Sequence, residues 1–157
     1  MSVFEQYSPG LGSVGNYQVA GTPWLTSSTI PASGNVANTS RNSSTQHIQF
    51  PYVTKQITIE NIGTGEICFT LKDEGNALGD GVNGGHSFTI PPSGSNGSPL
   101  SRVTLDMKTK EIFISNKHNQ PGGFQVYASL TRIDRRHMFE LTGSGINSQP
   151  GDTTIVP

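Results

Sequence analysis

The segment 73–85 is the part of the chain whose residue types best suit metal binding. It is rich in glycine and carries oxygen-bearing side chains at Asp73, Glu74, Asn76, Asp80 and Asn83. Calcium prefers such oxygen ligands, but their spacing does not fit the EF-hand loop. A solvated surface loop, in which Asn and Gly adopt left-handed backbone conformations, explains the same composition. The sequence favours the loop, and we assign no metal ligands.

The remaining reactive residue types lack the spacing that catalysis or cofactor binding requires. The histidines are scattered, at His47, His86, His118 and His137, and form no HxH or HExxH pair. Cys68 is the sole cysteine, which excludes an internal disulfide and a Cys-based zinc site. It lies on the strand face opposite Ile67 and Phe69, which predicts a small filler on a second buried face. No GxSxG elbow is present, and no glycine-rich loop opens a helix. We therefore expect a non-enzyme without a cofactor.

Alternating polar and apolar residues predict strands throughout the middle of the chain. In 53–62, Ile57 and Ile59 share one face, and a second strand, 66–72, follows the glycines of 63–65. We expect these two strands to form a hairpin, and a second hairpin to join the strands at 102–108 and 111–116. The longest strand is expected at 124–133. The fold class is therefore all-β, an antiparallel β-sandwich or jelly-roll-like barrel with an extended N-terminal arm. The predicted core consists of Ile57, Ile59, Ile67, Phe69, Leu71, Phe88, Val103, Leu105, Ile112, Ile114, Val126 and Leu130.

Charge distribution divides the chain into an arm, a domain and a tail. Residues 1–46 carry only two charged side chains, Glu5 and Arg41, yet include several aromatic residues. Such a segment is expected to become ordered against another surface. We expect an arm at 1–45, a β-sandwich at 46–141 and a flexible C-terminal tail at 142–157. The apolar fraction of 32% predicts a thin core that partner contacts help to stabilise.

Several aromatic, aliphatic and basic residues are candidate partner contacts. Those in the arm are Phe4, Tyr7, Tyr17, Trp24 and Leu25. Trp24 is interpreted as an anchor in a groove of the domain or of a neighbour, with a sugar-stacking platform as the alternative. Strands that are apolar on both faces point to Phe113 and Tyr127 as contacts in a cyclic homotrimer, unless the second sheet and the arm cover those faces. Arg135 and Arg136 are candidates for gripping an acidic partner, with a solvated strand end as the alternative. The nearby Phe139 makes the start of the tail a second contact element.

Net charge and hydropathy limit the other partners. A formal charge of −1 and a pI of about 6.4 argue against nucleic acid and anionic lipid as partners. The N-terminus lacks a basic and apolar leader, and no window approaches the roughly 20 apolar residues that span a bilayer. We therefore expect synthesis in the cytoplasm and no membrane association.

Three Gly- and Thr-rich stretches carry a resemblance to a class of viral proteins. They are GLGSVGNYQV at 10–19 with GTP at 21–23, FPYVTKQITI at 50–59, and MFELTGSGI at 138–146. Together they resemble small β-rich virion proteins of aquatic viruses, including capsid decoration or minor capsid components of marine tailed phages. The resemblance implies a structural protein on the capsid surface, with an extended arm that binds the major capsid protein and no catalytic residues.

The function expected from the sequence is therefore a non-enzymatic structural role in the virion. The chain would be a capsid decoration, cement or minor capsid subunit that binds the shell or other virion proteins through its arm. The alternative is a carbohydrate- or receptor-binding β-module of a viral fibre or tail tip. A secreted cellular adhesin is a third class, which the missing leader argues against.

Overall fold

The computed structural model describes residues 21–30, 45–71, 87–92, 101–116 and 121–141, together with Gly15. The described residues form eight strands. The strands are β1 (Thr22–Ile30), β2 (Thr45–Gln49), β3 (Tyr52–Asn61), β4 (Ile67–Thr70), β5 (Phe88–Ile90), β6 (Arg102–Leu105), β7 (Glu111–Asn116) and β8 (Gly122–Asp134). A 3₁₀ turn, Arg135–His137, follows β8 directly.

The strands form two four-stranded antiparallel sheets that pack face to face. The front sheet has the order β1-β8-β3-β6, and the back sheet has the order β2-β7-β4-β5. The hydrogen-bonded pairs include β1 with β8, β2 with β7, β3 with β6 and β4 with β5. This nested pairing is the connectivity of a jelly roll, in which one long antiparallel ribbon is rolled into two sheets. The prediction of an all-β antiparallel sandwich is confirmed.

Alternation along the strands separates a core face from an outer face. In the front sheet, Ile57 and Ile59 of β3 point inward in register with Ala128 and Val126 of β8. Inward residues of both sheets merge into one apolar cluster between them. Its most deeply buried large members are Phe50, Phe124, Ile30, Ile57, Ile59, Ile67, Ile90, Ile112, Ile114 and Leu130.

Most of the predicted core is confirmed, and Phe88 is the main error. Leu71, Val103 and Leu105 pack against the cluster but remain partly exposed. Phe88 is 51% exposed. It lies on β5, a three-residue strand at the edge of the back sheet, where its ring contacts Phe69 on one side, with ring centroids 5.6 Å apart. An edge position leaves the other side of the ring without a neighbouring strand.

Both predicted hairpins are wrong, because the two connections cross between the sheets. The glycines at 63–65 lead from β3 in the front sheet to β4 in the back sheet. In the same way, residues 106–110 lead from β6 in the front sheet to β7 in the back sheet. All four residues of β4 are buried, so this strand is covered on both faces, unlike a strand of an exposed hairpin.

The segment 22–30 is a sheet strand, which corrects the predicted boundary between arm and domain at residue 46. β1 pairs with β8 over its whole length, from Thr22 opposite Leu130 to Ile30 opposite Gly122. Trp24 points into the sandwich and packs edge-on against Phe50, with ring centroids 5.0 Å apart. The domain therefore includes β1, and residues 1–14, 16–20 and 31–44 of the predicted arm lie outside the described residues.

Asn61 at the end of β3 links the two sheets through its side chain. Its buried Nδ2 donates to the carbonyl oxygens of Gly65 at 2.8 Å and Ile90 at 3.0 Å. Its Oδ1 accepts from the backbone N–H of Gly63 at 2.9 Å. The amide thereby satisfies backbone groups where the chain leaves the front sheet for the back sheet.

Candidate functional site

One end of the sandwich, here called the terminal end, contains Gly21, Tyr52 and the segment 134–140. Tyr52 at the start of β3 is in register with Asp134 at the end of β8. Gly21 lies against β8, and a Cβ on it would stand 2.5 Å from the carbonyl oxygen of Leu130. This contact leaves room for glycine alone. Gly21, which precedes β1, and the segment that begins at Asp134 at the end of β8 therefore lie at the same end of the domain.

Asp134 organises the turn at the terminal end. Its carboxylate accepts from the backbone N–H of Arg136 at 2.9 Å and from Nε and one terminal nitrogen of its guanidinium at 3.0 and 3.2 Å. The side-chain hydrogen bond from Arg136, followed by the backbone one, lowers the pKa of Asp134 to about 2. The same contact raises the pKa of Arg136. The guanidinium is thus held in one orientation while its side chain remains 83% exposed.

A second set of charges secures the rest of the terminal end to the back sheet. The carboxylate of Glu111 lies 2.9 Å from Nε2 of His47 and 3.6 Å from a guanidinium nitrogen of Arg135. Lys110 forms an ion pair with Glu140. Arg135 therefore contributes to the structure of its own chain, whereas Arg136 projects from the surface.

Exposed aromatic rings accompany Arg136 at the terminal end. Tyr52 is 43% exposed and Phe139 is 55% exposed. Tyrosine and arginine are the residue types that are enriched among energetically dominant interface contacts, and aromatic rings are enriched at interfaces in general. The terminal end is therefore a candidate protein-docking surface.

A separate candidate site is a shallow cleft on the outer front face, which we define as the outward positions of the front sheet. Leu25 of β1 is in register with Tyr127 of β8, which is in register with Thr58 of β3. The adjacent row consists of Ser27, Gln125 and Glu60. These two rows line a cleft of about 420 Å³.

The cleft combines exposed apolar side chains with paired polar ones. Leu25 is 73% exposed and Tyr127 is 40% exposed. The carboxylate of Glu60 lies 3.6 Å from the guanidinium of Arg102. The hydroxyl of Thr58 is 2.9 Å from that of Thr104. The cleft can therefore offer an aromatic ring, hydroxyls, an amide and a charge-balanced carboxylate.

The structure separates the residues that the sequence grouped as contacts. Leu25 and Tyr127 come together on the outer front face, while Trp24 points to the opposite side of the sheet. Phe113, a predicted partner contact, is 9% exposed and stacks on His47, with ring centroids 4.3 Å apart, so within this chain it packs against the back sheet. Phe4, Tyr7 and Tyr17 lie outside the described residues, as does the acidic segment 73–85.

Cys68 is fully buried on the outer side of the back sheet, which confirms its predicted role as a small filler. Its Sγ lies 3.3 Å from the hydroxyl of Thr89. Within the described ranges, no three His, Cys, Asp or Glu side chains cluster as metal ligands would. No helix in those ranges has the length and hydropathy to cross a membrane.

Sequence reasoning missed Tyr52 and the polar half of the cleft. Tyr52 follows Pro51 and lies just before the strand predicted at 53–62, so it was assigned to no strand face. Thr58 and Glu60 alternate with Ile57 and Ile59, so the pattern did mark them as outward-facing. What the pattern lacked was the pairing of β3 with β8, which places Gln125 beside Glu60. A scan of protein-family models and searches of curated proteins and solved structures found no match to this chain.

Proposed function

We propose that this chain is a non-enzymatic structural protein of a virus particle. It would act as a capsid decoration, cement or minor capsid subunit, and would bind the major capsid protein through the terminal end and the segment that precedes β1. The viral context rests on the resemblance carried by residues 10–23, 50–59 and 138–146. Jelly rolls occur in viral capsid and lectin domains, which agrees with this context, although a fold does not determine a function.

The observation that carries the docking site is the composition of the terminal end. Tyr52 and Phe139 are about half exposed there, and the guanidinium of Arg136 projects in a fixed orientation. Two of the five guanidinium N–H directions are committed to Asp134 through Nε and one terminal nitrogen, which leaves donors for a partner carbonyl or carboxylate. A preordered arginine loses less side-chain entropy on binding.

Chain connectivity also supports this end as the docking side. The segment that precedes β1 is joined to Gly21, which lies at this end, so contacts made by that segment would reinforce those of Tyr52, Arg136 and Phe139. Linked contacts of this kind strengthen one another through effective concentration. The chain carries no net positive charge that would attract nucleic acid or anionic lipid, so proteins are the proposed partners and the virion is the proposed location.

A cyclic homotrimer is the proposed assembly state, with three terminal ends gathered around one axis on the shell. A thin core favours such sharing of buried surface. The trimer contact is proposed at the terminal ends and not at Phe113 or Tyr127, the residues expected from the sequence, because Phe113 packs within its own sheet and Tyr127 lies on the outer front face. Light scattering of the purified protein at micromolar concentration should give three times the 16.7 kDa chain mass, and a monomer would contradict the trimer.

Binding to purified particles that lack this protein tests the docking site. We expect the double variant Arg136→Ala and Phe139→Ala to bind about tenfold or more weakly, because such residues commonly dominate interface energies. Tyr127→Ala is the matched control, since it also removes an exposed aromatic ring but lies on the outer front face. Equal occupancy of the double variant and the wild-type protein would contradict the proposal.

The alternative function is a carbohydrate- or receptor-binding module of a fibre or tail tip. One observation favours it, namely the cleft in which Tyr127 and Leu25 lie beside polar side chains. Glycan binding and capsid docking use different surfaces of this domain, so a single subunit can do both.

A further inference from the structure

We propose that the cleft on the outer front face binds a short, neutral oligosaccharide. This inference does not depend on docking at the terminal end, because the two surfaces share no residue. It assigns a site and a ligand class to the front sheet, whatever the protein's position in a particle.

The apolar part of the cleft suits the face of a sugar ring. Tyr127 is an outward residue of β8, and Leu25 is its register partner on the edge strand β1. Their side chains remain 40% and 73% exposed, respectively. A pyranose ring has one face of C–H groups that can pack against an aromatic ring, while its hydroxyls point sideways. An amphipathic aromatic residue such as tyrosine meets both requirements, with an apolar ring and a polar hydroxyl.

Polar groups line the cleft beside this apolar pair. Ser27, Gln125 and Glu60 form the next row across the same three strands, and Thr58 lies next to Tyr127. They supply hydroxyl, amide and carboxylate groups that can donate to and accept from sugar hydroxyls. A binding site with an apolar surface and a small number of polar groups that fix orientation is the usual pattern for small ligands. Its volume of about 420 Å³ lies within the range of about 300–1,000 Å³ for such sites.

The charge of the cleft selects a neutral ligand. Glu60 is its charged lining residue among those described, and Arg102 lies 3.6 Å from the carboxylate. An anionic sugar would meet the Glu60 carboxylate, and a cationic ligand would have to compete with Arg102 for it. A neutral glycan can hydrogen-bond to Glu60 without breaking the ion pair.

The surrounding sheet favours a sugar over a peptide strand. β8 and β3, which carry Tyr127, Gln125, Thr58 and Glu60, each have a strand on both sides, so their backbone groups are used within the sheet. A peptide added as a strand requires free backbone groups at an edge. Protein interfaces also have a core depleted of charged residues, whereas the carboxylate of Glu60 lines this cleft.

A glycan array of neutral, sialylated and sulfated oligosaccharides, probed with the full-length protein, tests the ligand class. The expected result is binding to one or more neutral glycans, followed by titration calorimetry with the strongest binder as the free oligosaccharide. Tyr127→Ala should weaken that binding about tenfold or more, and Tyr127→Phe, which keeps the ring, by about threefold or less. Phe88→Ala is the matched control, because it also removes an exposed ring but lies on the back sheet, and it should leave the affinity unchanged.

Amide chemical shifts measured by NMR during the same titration locate the site. The largest shifts are expected at Leu25, Thr58 and Tyr127. The proposal is overturned by an array without a bound neutral glycan, by binding restricted to charged glycans, or by shifts confined to other residues. It is equally overturned if Tyr127→Ala binds as tightly as the wild-type protein, or if that substitution dissociates an oligomer, which would make the face a protein contact. None of these outcomes would bear on the proposed docking site, because particle binding through Arg136 and Phe139 is measured separately.

Discussion

Truncation of the N-terminal region at two positions should give two different outcomes. A chain that starts at residue 21 keeps β1, and a chain that starts at residue 46 loses it. If residues 22–30 belonged to a docking arm, both truncated chains would fold equally well. Because β1 instead forms an edge of the front sheet, we expect the chain from residue 46 to be much less stable than the chain from residue 21.

The size of this difference follows from the contacts of β1. Ile30 is 1% exposed, and its burial contributes about 2 kcal/mol. Trp24 packs against Phe50, and such an aromatic pair contributes about 1 kcal/mol beyond its buried area, which adds a similar amount. The backbone hydrogen bonds with β8 are largely offset by the entropy cost of ordering the strand. The sum, roughly 4 kcal/mol, is a large share of the 5–15 kcal/mol that stabilises a typical domain.

Urea denaturation followed by circular dichroism measures this difference, since the single tryptophan is itself removed with β1. The chain from residue 21 should unfold in one cooperative transition. The chain from residue 46 should have a midpoint lower by roughly 2 M or be unfolded without urea, given a slope of about 2 kcal/mol per molar urea. Equal midpoints for the two chains would refute the assignment of β1 to the domain.

Three further predictions concern the core, the link between the sheets and the terminal end. Phe69→Ala should destabilise the protein by about 3–5 kcal/mol. Phe88→Ala should destabilise it by about half that or less, because the ring of Phe88 is 51% exposed. Equal losses of stability in denaturation experiments would contradict the edge position of β5. Asn61→Ala should cost about 3 kcal/mol, since it leaves two buried carbonyl oxygens without their donor, and a near-neutral thermal shift would show that the amide does not link the sheets. In a carbon-detected NMR titration, Asp134 should show a pKa of about 2, and Arg136→Ala should return that pKa toward 3.8. Because the pKa of Asp134 is lowered in the folded state, any stability from this contact is present above about pH 4. That stability is lost as the pH falls toward 2. A wild-type value near 3.8 would mean that the ion pair does not form in solution.

Local alternation was sufficient to predict the fold class but not the partners of each strand. Ile57 and Ile59, or Ile112 and Ile114, mark an inward face whichever strand lies beside them. The turns carry less information, because Gly63–Gly65 can close a hairpin or lead the chain to the other sheet. The uninterrupted apolar run of Ile67, Cys68 and Phe69 was the local sign that β4 is covered on both faces. Even that sign does not specify which strands cover it.

β1 was missed because polar residues occupy the middle of its inward face. Its inward positions include Thr26 and Ser28, while Leu25 points outward. The strand forms because β8 offers a partner along its whole length, which is a tertiary effect that overrides local pattern. The same pairing builds the cleft, since Leu25 and Tyr127 are far apart in the sequence. A single sequence therefore predicted both residues as candidate contacts without placing them together.

The most direct test of the proposed virion role is a cryo-electron microscopy map of the intact particle. We predict a jelly roll on the capsid surface whose terminal end, with Tyr52, Arg136 and Phe139, contacts the major capsid protein. The outer front face, with Leu25 and Tyr127, should point to solvent. Absence of the protein from the particle would contradict the structural role. Attachment through the outer front face, with the terminal end exposed, would contradict both the docking site and the free cleft.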